Sequence, residues 1–320
     1  MKIAIIGAGP VGCYAAFRIA ELFNIAPTIF EKKNKSQKPC SGLFSKRILD
    51  FIPLPNYIIE NKINQVEINF PRKKVVVEFN PKLLVVNRKL FDDYLLKIAS
   101  LKSKIVKANV KSINTKGNVF FGKKRKKFDI IIACDGALSI VRKSLSLPDP
   151  EFLLGLQFFV KRKIKSSKAI TWATENGFFW QIPRKDKIEY GIMESPQKAK
   201  QKLFEFSKKL KLKPKNIQGA LIPIGPVISP YENIFLCGDA AGLCKPWSGG
   251  GIIWSFTAIE IMLKYFPDIY KASEKIRKIF GRKIKIYKNL SKFVRKINFV
   301  LPPKIKIDTD WLFQEIHAKI

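Results

Sequence analysis

Gly7, Gly9 and Gly12 form a G-x-G-x-x-G run, and Glu31 follows 19 residues after the last of them. Glycine at these positions permits, in turn, a tight turn, a close backbone approach to a pyrophosphate and close helix–strand packing. An acidic side chain at the distance of Glu31 accepts hydrogen bonds from a ribose. Far downstream, Gly238-Asp239-Ala240-Ala241-Gly242 and Gly249-Gly250-Gly251-Ile252 again combine small residues with a single carboxylate. A helix opened by Ile252 would turn its free N–H groups toward a partly negative ring edge. Side chains for acid–base or metal work are scarce. The one histidine is His317, so a Ser-His-Asp or Cys-His hydrolase would depend on a tail residue, and an H-E-x-x-H metal site is impossible. Cys13, Cys40, Cys134, Cys237 and Cys244 are odd in number and form no C-x-x-C. This argues against zinc or a disulfide framework, and for a reducing compartment. No metal is expected, and a bound cofactor would have to supply the reactive group.

The elements that must hold these residues follow from hydrophobic patterning. Lys2 to Ile6 and Pro27 to Phe30 read as short, fully buried parallel strands, with a helix from Cys13 to Leu22 between them. Phe128 to Cys134 and Ile234 to Cys237 are strands of the same kind, ending in Asp135-Gly136 and Gly238-Asp239. In an open α/β sheet, ligands sit at the C-terminal ends of such strands. Gln65 to Phe70 and Val75 to Phe79 read as a hairpin, and Leu83 to Val86 as a separate strand. Arg88 opens an amphipathic helix to about Ser100, and Lys123 to Lys127 reads as a solvated turn. From about Phe152 the pattern alternates, over Leu154 to Val160, Ala169 to Thr174, Gly177 to Ile182 and Lys187 to Met193. The expected fold class is α/β: a Rossmann-like parallel unit, an inserted antiparallel β-sheet and a C-terminal helical segment. The expected division gives 1–55, 82–150 and 228–265 to the dinucleotide unit, 56–81 and 151–227 to a substrate unit, and 266–320 to a basic amphipathic tail.

Sixty Lys+Arg against 25 Asp+Glu leave a formal charge of +35. Such a balance favours anionic surfaces, namely phospholipid headgroups, acidic proteins or nucleic acid, although scattered lysines also simply solvate a surface. Lys271 to Lys306 holds 13 Lys/Arg and one acid, Glu274. Ile276, Ile279, Phe280, Ile284, Tyr287, Leu290, Phe293, Val294 and Ile297 recur there mostly at three- and four-residue steps, with an interruption expected at Gly281. That helix reads either as docking on an anionic lipid surface or as packing its stripe on the protein. No apolar run reaches the roughly 20 residues that a membrane span needs. The expected location is cytoplasmic, with peripheral attachment to the inner face of the cell membrane through the tail.

Together, Gly7-x-Gly9-x-x-Gly12 with Glu31, Asp135-Gly136 with Arg142, and Gly238-Asp239-Ala240-Ala241-Gly242 with Pro246 and Gly249-Gly250-Gly251 resemble the three FAD motifs of the p-hydroxybenzoate hydroxylase-like flavoproteins. Within that group the chain resembles the geranylgeranyl reductase family. Pro39-Cys40-Ser41-Gly42 is similar to that family's Cys-Gly-rich segment near the flavin, and Phe178-Phe179-Trp180-Gln181-Ile182-Pro183 to its aromatic-x-Trp-x-aliphatic-Pro motif. Where the family continues with Gly-x-Gly, this chain has Gly191-Ile192-Met193. The resemblance covers roughly residues 1 to 265. It implies that Gly7, Gly9 and Gly12 hold the FAD pyrophosphate and Glu31 the adenosine ribose. Arg88 would lie beside the cofactor, Asp135 near the pyrophosphate side, Asp239 on the ribityl chain, and the amides of Gly249, Gly250, Gly251 and Ile252 by the isoalloxazine ring. Gly238 belongs to the same turn as Asp239. Phe178, Trp180 and Pro183 would line an apolar channel for a polyprenyl chain, with Cys40 near the flavin in a catalytic or gating role. On the residues alone, Cys40 also reads as a small packed thiol and Trp180 as core.

The function this implies is an FAD-dependent oxidoreductase that reduces isoprenoid (geranylgeranyl) double bonds of lipids by hydride transfer. The proton would come from water, a Tyr or Cys40. No second G-x-G-x-x-G is present, so the reductant is expected to bind transiently, as a nicotinamide (NAD(P)H) or an acidic ferredoxin-like protein would. An aromatic hydroxylase or halogenase is the alternative within flavoenzymes. A nucleic-acid-binding flavoprotein ranks last, because no zinc finger, RNP or similar signature accompanies the charge.

Overall fold

The computed structural model describes residues 1–32, 38–296 and 304–306. The chain forms two compact units. The first comprises Met1–Gln37, Lys89–Glu151 and Ile222–Ile286, and the second Lys38–Arg88 and Phe152–Leu221 with the described residues from Tyr287 onward.

The first unit is built on a parallel sheet of five strands in the order Ile234–Leu236, Ile130–Ala133, Ile3–Ile6, Thr28–Glu31 and Lys104–Lys107. Unbroken β-branched runs suit strands covered on both faces. Ile5 pairs with Ile132 on one side and Ile29 on the other, and all three are fully buried. Each such side chain contributes about 1.5–3 kcal/mol of burial. Helix Pro10–Phe23 starts with proline at its first position, where a missing N–H costs nothing, and ends on Asn24 in the left-handed conformation (φ 52°). Its small residues Ala15 and Ala16 are fully buried, which brings the helix close to the sheet. Tyr14 stacks on Phe256 of helix Ile252–Tyr265 with ring centroids 4.0 Å apart. The Tyr14 hydroxyl (2.5 Å) and Arg18 Nε (2.9 Å) both donate to Glu260 Oε1.

Beside this sheet stand three antiparallel strands, Val110–Ile113, Asn118–Phe121 and Lys124–Lys127. Of the basic run read as a turn, Lys123 is in a turn and Lys124–Lys127 is a strand. All four of its residues are exposed, and it is held by pairing with Asn118–Phe121 rather than by any apolar pattern.

The second unit carries a nine-stranded sheet. Its path runs Gln218–Ile224, Glu151–Lys161, Lys187–Glu194, Phe178–Pro183, Lys168–Ala173, Ile59–Asn69, Lys74–Val86 and Lys304–Lys306, and Leu43–Phe44 also pairs with Lys74–Val86. Two points differ from the sequence reading. Leu83 to Val86 is the end of one strand, Lys74–Val86; Pro81 is accommodated where the register with Ile59–Asn69 shifts, between Ile63–Leu83 and Gln65–Glu78. The sheet is also mixed, because Lys168–Ala173 pairs antiparallel with Phe178–Pro183 but parallel with Ile59–Asn69. The pairing of Leu43–Phe44 with Leu84 and Val85 carries Lys38–Arg88 onto this sheet rather than the parallel one. Helix Pro196–Lys209 covers one face, where Phe158, Phe179, Ile188, Tyr190, Ile192, Ala199 and Leu203 form a closed core.

The basic tail continues through Gly281 without a break. Helix Ile269–Ile276, a π-helical turn Arg277–Gly281 and helix Arg282–Lys296 follow directly on one another. The first part of the apolar stripe packs on the protein: Ile276, Phe280 and Ile284 are buried, and the Phe280 ring lies 5.4 Å from Trp254. Ile286 and Leu290 are half exposed, at 50% each. The side chains of Phe293, Val294 and Ile297, and His317, lie outside the described residues. Among the described residues, no helix is long and apolar enough to cross a membrane.

Candidate functional site

In the first unit the motif residues gather at the C-terminal ends of the parallel strands. Ile3–Ile6 pairs with Thr28–Glu31 on one side and Ile130–Ala133 on the other, so the strand order reverses beside Ile6, where dinucleotides bind in open sheets. The three glycines of the fingerprint meet different surroundings. A Cβ built at Gly7 (φ +101°) would lie 2.4 Å from the Cys134 carbonyl oxygen, and one at Gly12 would lie 2.0 Å from the Gly7 oxygen. A Cβ at Gly9 meets no atom of the described residues within 4 Å. Gly7 and Gly12 are thus closed by protein, whereas Gly9 faces open space at the start of helix Pro10–Phe23. The first N–H groups of an α-helix have no partner within it, and anions are favoured there.

Glu31 is oriented by the loop itself, its Oε2 accepting the Ala8 N–H at 2.8 Å. Asp135 follows the neighbouring strand. Its Oδ2 accepts the Val141 N–H at 3.1 Å, but its buried Oδ1 has no hydrogen-bond partner among the described residues. Burial pushes the Asp135 carboxyl above its usual range, against the hydrogen bonds from Ser139 and Val141. A buried acceptor left unmatched costs about 1–3 kcal/mol, and a donor on a bound dinucleotide would relieve that cost. Arg142 ties this turn to the next. It donates to the carbonyls of Ala137 (2.7 Å) and Ala240 (2.8 Å) and to Asp149 Oδ1.

Gly238 adopts φ +65° at the end of Ile234–Leu236, and Asp239 Oδ1 accepts the Cys244 thiol at 3.5 Å. Gly249 (φ +68°), Gly250 and Gly251 lead into helix Ile252–Tyr265, with Gly251 at its N-cap. A Cβ at Gly251 would lie 2.9 Å from Cys244 Sγ and 3.8 Å from Asp239 Oδ1, so this helix start and the Asp239 turn form one cradle. The open Gly9, the unmatched Asp135 Oδ1 and this cradle together fit FAD.

The second unit holds Cys40, Arg88, Phe178, Trp180 and Pro183. Cys40 is partly exposed, and its sulfur accepts the Gly42 N–H at 3.5 Å. Arg88 is buried, its stem passing Gly42: a Cβ there would lie 3.3 Å from Arg88 Cγ. Phe178 and Trp180 share one face of the sheet, with ring centroids 5.8 Å apart. Pro183 does not join them. It pairs with Ile188 at an odd step from Trp180, and so falls on the face that helix Pro196–Lys209 covers. The indole of Trp180 lies over Gly191, where a Cβ would come within 2.3 Å of its ring and 2.5 Å of the Leu156 carbonyl oxygen.

A buried ionic cluster escaped the sequence reading. Arg184 donates to Glu189 Oε2 through Nε (2.8 Å) and Nη2 (2.6 Å), to Glu60 Oε2, and to the Ser41 carbonyl oxygen. Glu189 Oε1 accepts the Trp180 Nε1–H at 2.9 Å. Burial opposes the Arg184 charge, yet the two glutamates hold it above its ordinary value. The signal available in the sequence was Glu189, a carboxylate between Ile188 and Tyr190 in the middle of a buried strand.

No protein-family model matches the chain. Individual proteins do. Geranylgeranyl diphosphate reductase of Nicotiana tabacum, a chloroplast protein, is 26% identical over 80% of this chain and 63% of its own length, so the chain spans less than two thirds of that protein. Digeranylgeranylglycerophospholipid reductase of Methanococcus aeolicus is 25% identical over 92% of this chain and 87% of its own. Among solved structures, a geranylgeranyl bacteriochlorophyll reductase-like protein of Thermoplasma acidophilum shares the fold with a TM-score of 0.80, over 100% of this chain and 99% of that one, at 19% identity. With the three motifs in place on this fold, the chain is similar in sequence to geranylgeranyl reductases and shares its fold with a protein of that kind.

Proposed function

We propose that this protein reduces isoprenoid double bonds of a geranylgeranyl lipid. The observation that carries the reading is the open side of Gly9 beside the unmatched Asp135 Oδ1, which gives a dinucleotide both a phosphate seat and a hydrogen-bond acceptor. Named relatives act on geranylgeranyl chains by their names, and the isoprenoid is what those names share. The backbone at Gly7, Gly9 and Gly12 and the helix start at Pro10 hold the pyrophosphate. Glu31 binds the adenosine ribose, Asp239 the ribityl chain, and the Gly249–Ile252 amides the ring edge, with Arg88 beside the cofactor. FAD, reduced and bound, supplies the two electrons. Phe178 and Trp180 offer an apolar aromatic face to the prenyl chain, which carries no group for a polar site to grip. In this reading Cys40, the partly exposed thiol of that unit, donates or gates a proton.

The reductant is transient, a nicotinamide or an acidic ferredoxin-like protein, in keeping with the +35 charge. Contact with an anionic lipid surface would use Ile286 and Leu290, exposed on helix Arg282–Lys296 among basic residues of the sequence, because the earlier part of the stripe is spent in the core. Flotation with phosphatidylglycerol vesicles tests this; protein left at the bottom of the gradient would exclude it. The enzymatic reading is tested by mixing dithionite-reduced holoprotein, without oxygen, with a geranylgeranyl lipid. Return of the flavin absorbance with that lipid, and none with its fully saturated counterpart, is expected. Reoxidation only by oxygen in the presence of an aromatic compound would instead favour hydroxylase or halogenase chemistry.

A further inference from the structure

Arg184 stands just after Phe178–Pro183, in the turn that leads into Lys187–Glu194. Its guanidinium is buried and every direction of the fork is used. Nε and Nη2 face Glu189, Nη1 faces Glu60 and, at 3.4 Å, the Val86 carbonyl, and Nη2 also takes the Ser41 carbonyl. Neither glutamate is free to swing away. Glu189 Oε1 holds the Trp180 indole N–H, and Glu60 Oε1 accepts the Asn87 side-chain N–H at 2.8 Å.

The loop around Ser41 is fixed from its other side too. The Gly42 carbonyl accepts the Val86 N–H at 2.8 Å. Gly42 has φ +62°, and a Cβ on it would lie 2.2 Å from the Val86 oxygen. Cys40 precedes Ser41 directly, and its sulfur is folded back onto the Gly42 N–H. Its position therefore follows the Ser41 carbonyl.

We propose that Arg184 is a positioning residue: by gripping the Ser41 carbonyl and Glu189 together, it sets the Cys40 thiol and the Trp180 indole as one unit. The inference rests on the reading of Cys40 and Trp180 as the substrate side of the enzyme. A planar fork with fixed N–H directions can make these contacts at once, whereas a lysine ammonium on a flexible stem cannot. A role limited to neutralising two glutamates would be met by lysine.

The test uses the full chain and Arg184→Lys. Both proteins are alkylated with iodoacetamide, and the rate is read at each cysteine by peptide mass mapping. Cys13 and Cys237 are fully buried, and burial pushes the Cys237 thiol up to about 12, so these two report global opening. The expected result is a change of at least fivefold in the Cys40 rate, with Cys13 and Cys237 within twofold of the parent protein and a changed near-ultraviolet dichroism from Trp180. A Cys40 rate within twofold of the parent in a folded variant overturns the proposal. Should Arg184→Lys open the whole fold, Glu60→Gln decides, since it keeps shape and leaves Arg184 paired with Glu189. A local change of at least threefold at Cys40 is expected there, and an unchanged rate, or global opening in both variants, overturns the proposal. Lipid turnover does not enter this readout. A local effect at Cys40 in a protein that reduces no isoprenoid would remove the functional reading and leave the positioning intact.

Discussion

Alanine at Gly9 should separate cofactor binding from folding. Gly9 has φ −69° and ψ 176°, which any residue adopts, and its added Cβ meets no atom of the described residues within 4 Å. Reduced freedom of the unfolded chain favours alanine by about 0.4–1 kcal/mol. Its poorer fit as an N-cap costs a similar amount, roughly 0.5–1 kcal/mol. The two nearly cancel, so the cofactor-free Gly9→Ala protein should unfold within about 1 kcal/mol of the parent. Bound pyrophosphate would feel the methyl directly. Displacing one charge-assisted hydrogen bond costs about 1.5–3 kcal/mol, or about 10- to 150-fold in FAD affinity. Gly12→Ala should behave the opposite way, since its Cβ lies 2.0 Å from a backbone oxygen that cannot give. Overpacking there should cost about 1–3 kcal/mol or more before any cofactor is added. Urea unfolding of the cofactor-free proteins and FAD titration by flavin fluorescence measure the two effects. Full FAD affinity in Gly9→Ala, or a stability loss matching that of Gly12→Ala, would refute the assignment of the open side of Gly9 to the phosphates.

Other outcomes follow from the same geometry. Gly191→Ala should push the Trp180 indole off its seat and break its bond to Glu189, lowering stability by about 2–5 kcal/mol in urea unfolding and altering the near-ultraviolet dichroism. Glu194 is buried, which opposes its charge, but hydrogen bonds from the Ser195 N–H, Asn176 and Thr174 prevail and hold its carboxyl down at about 2, against an ordinary 4.5. Its contribution, on the order of 3 kcal/mol, should be complete above pH 4.5 and fade as the pH falls toward 2; in Glu194→Gln that part of the acid dependence should vanish from unfolding curves measured between pH 6 and 2.

The parallel core was legible because its signals are local. Each β-branched run is short and unbroken, and each ends in glycine or aspartate, so Ile3–Ile6, Ile130–Ala133 and Ile234–Leu236 stood out with their turns. The family resemblance rested on those turns and holds. Less was readable where tertiary pairing overrides composition. Lys124–Lys127 has no apolar residue to mark it, and the strand through Pro81 survives only because a register shift takes up the proline. Pro183 was grouped with Trp180 by motif, yet the two-residue period of a strand separates them. The Arg184 cluster was hidden for another reason. Its members Ser41, Glu60, Arg184 and Glu189 are spread along the chain, and in so charged a sequence an isolated Arg or Glu looks solvated until the sheet buries it.

Weighing the product tests the proposed reduction most directly. Purified holoprotein, reduced with dithionite under nitrogen, is incubated with a geranylgeranyl lipid, and the lipid is extracted for mass spectrometry. Mass gains in steps of two hydrogens are expected, absent when FAD is withheld or when Gly9→Ala is used at limiting FAD. Lipid recovered unchanged from a protein that holds its full complement of reduced FAD would contradict the proposed reduction.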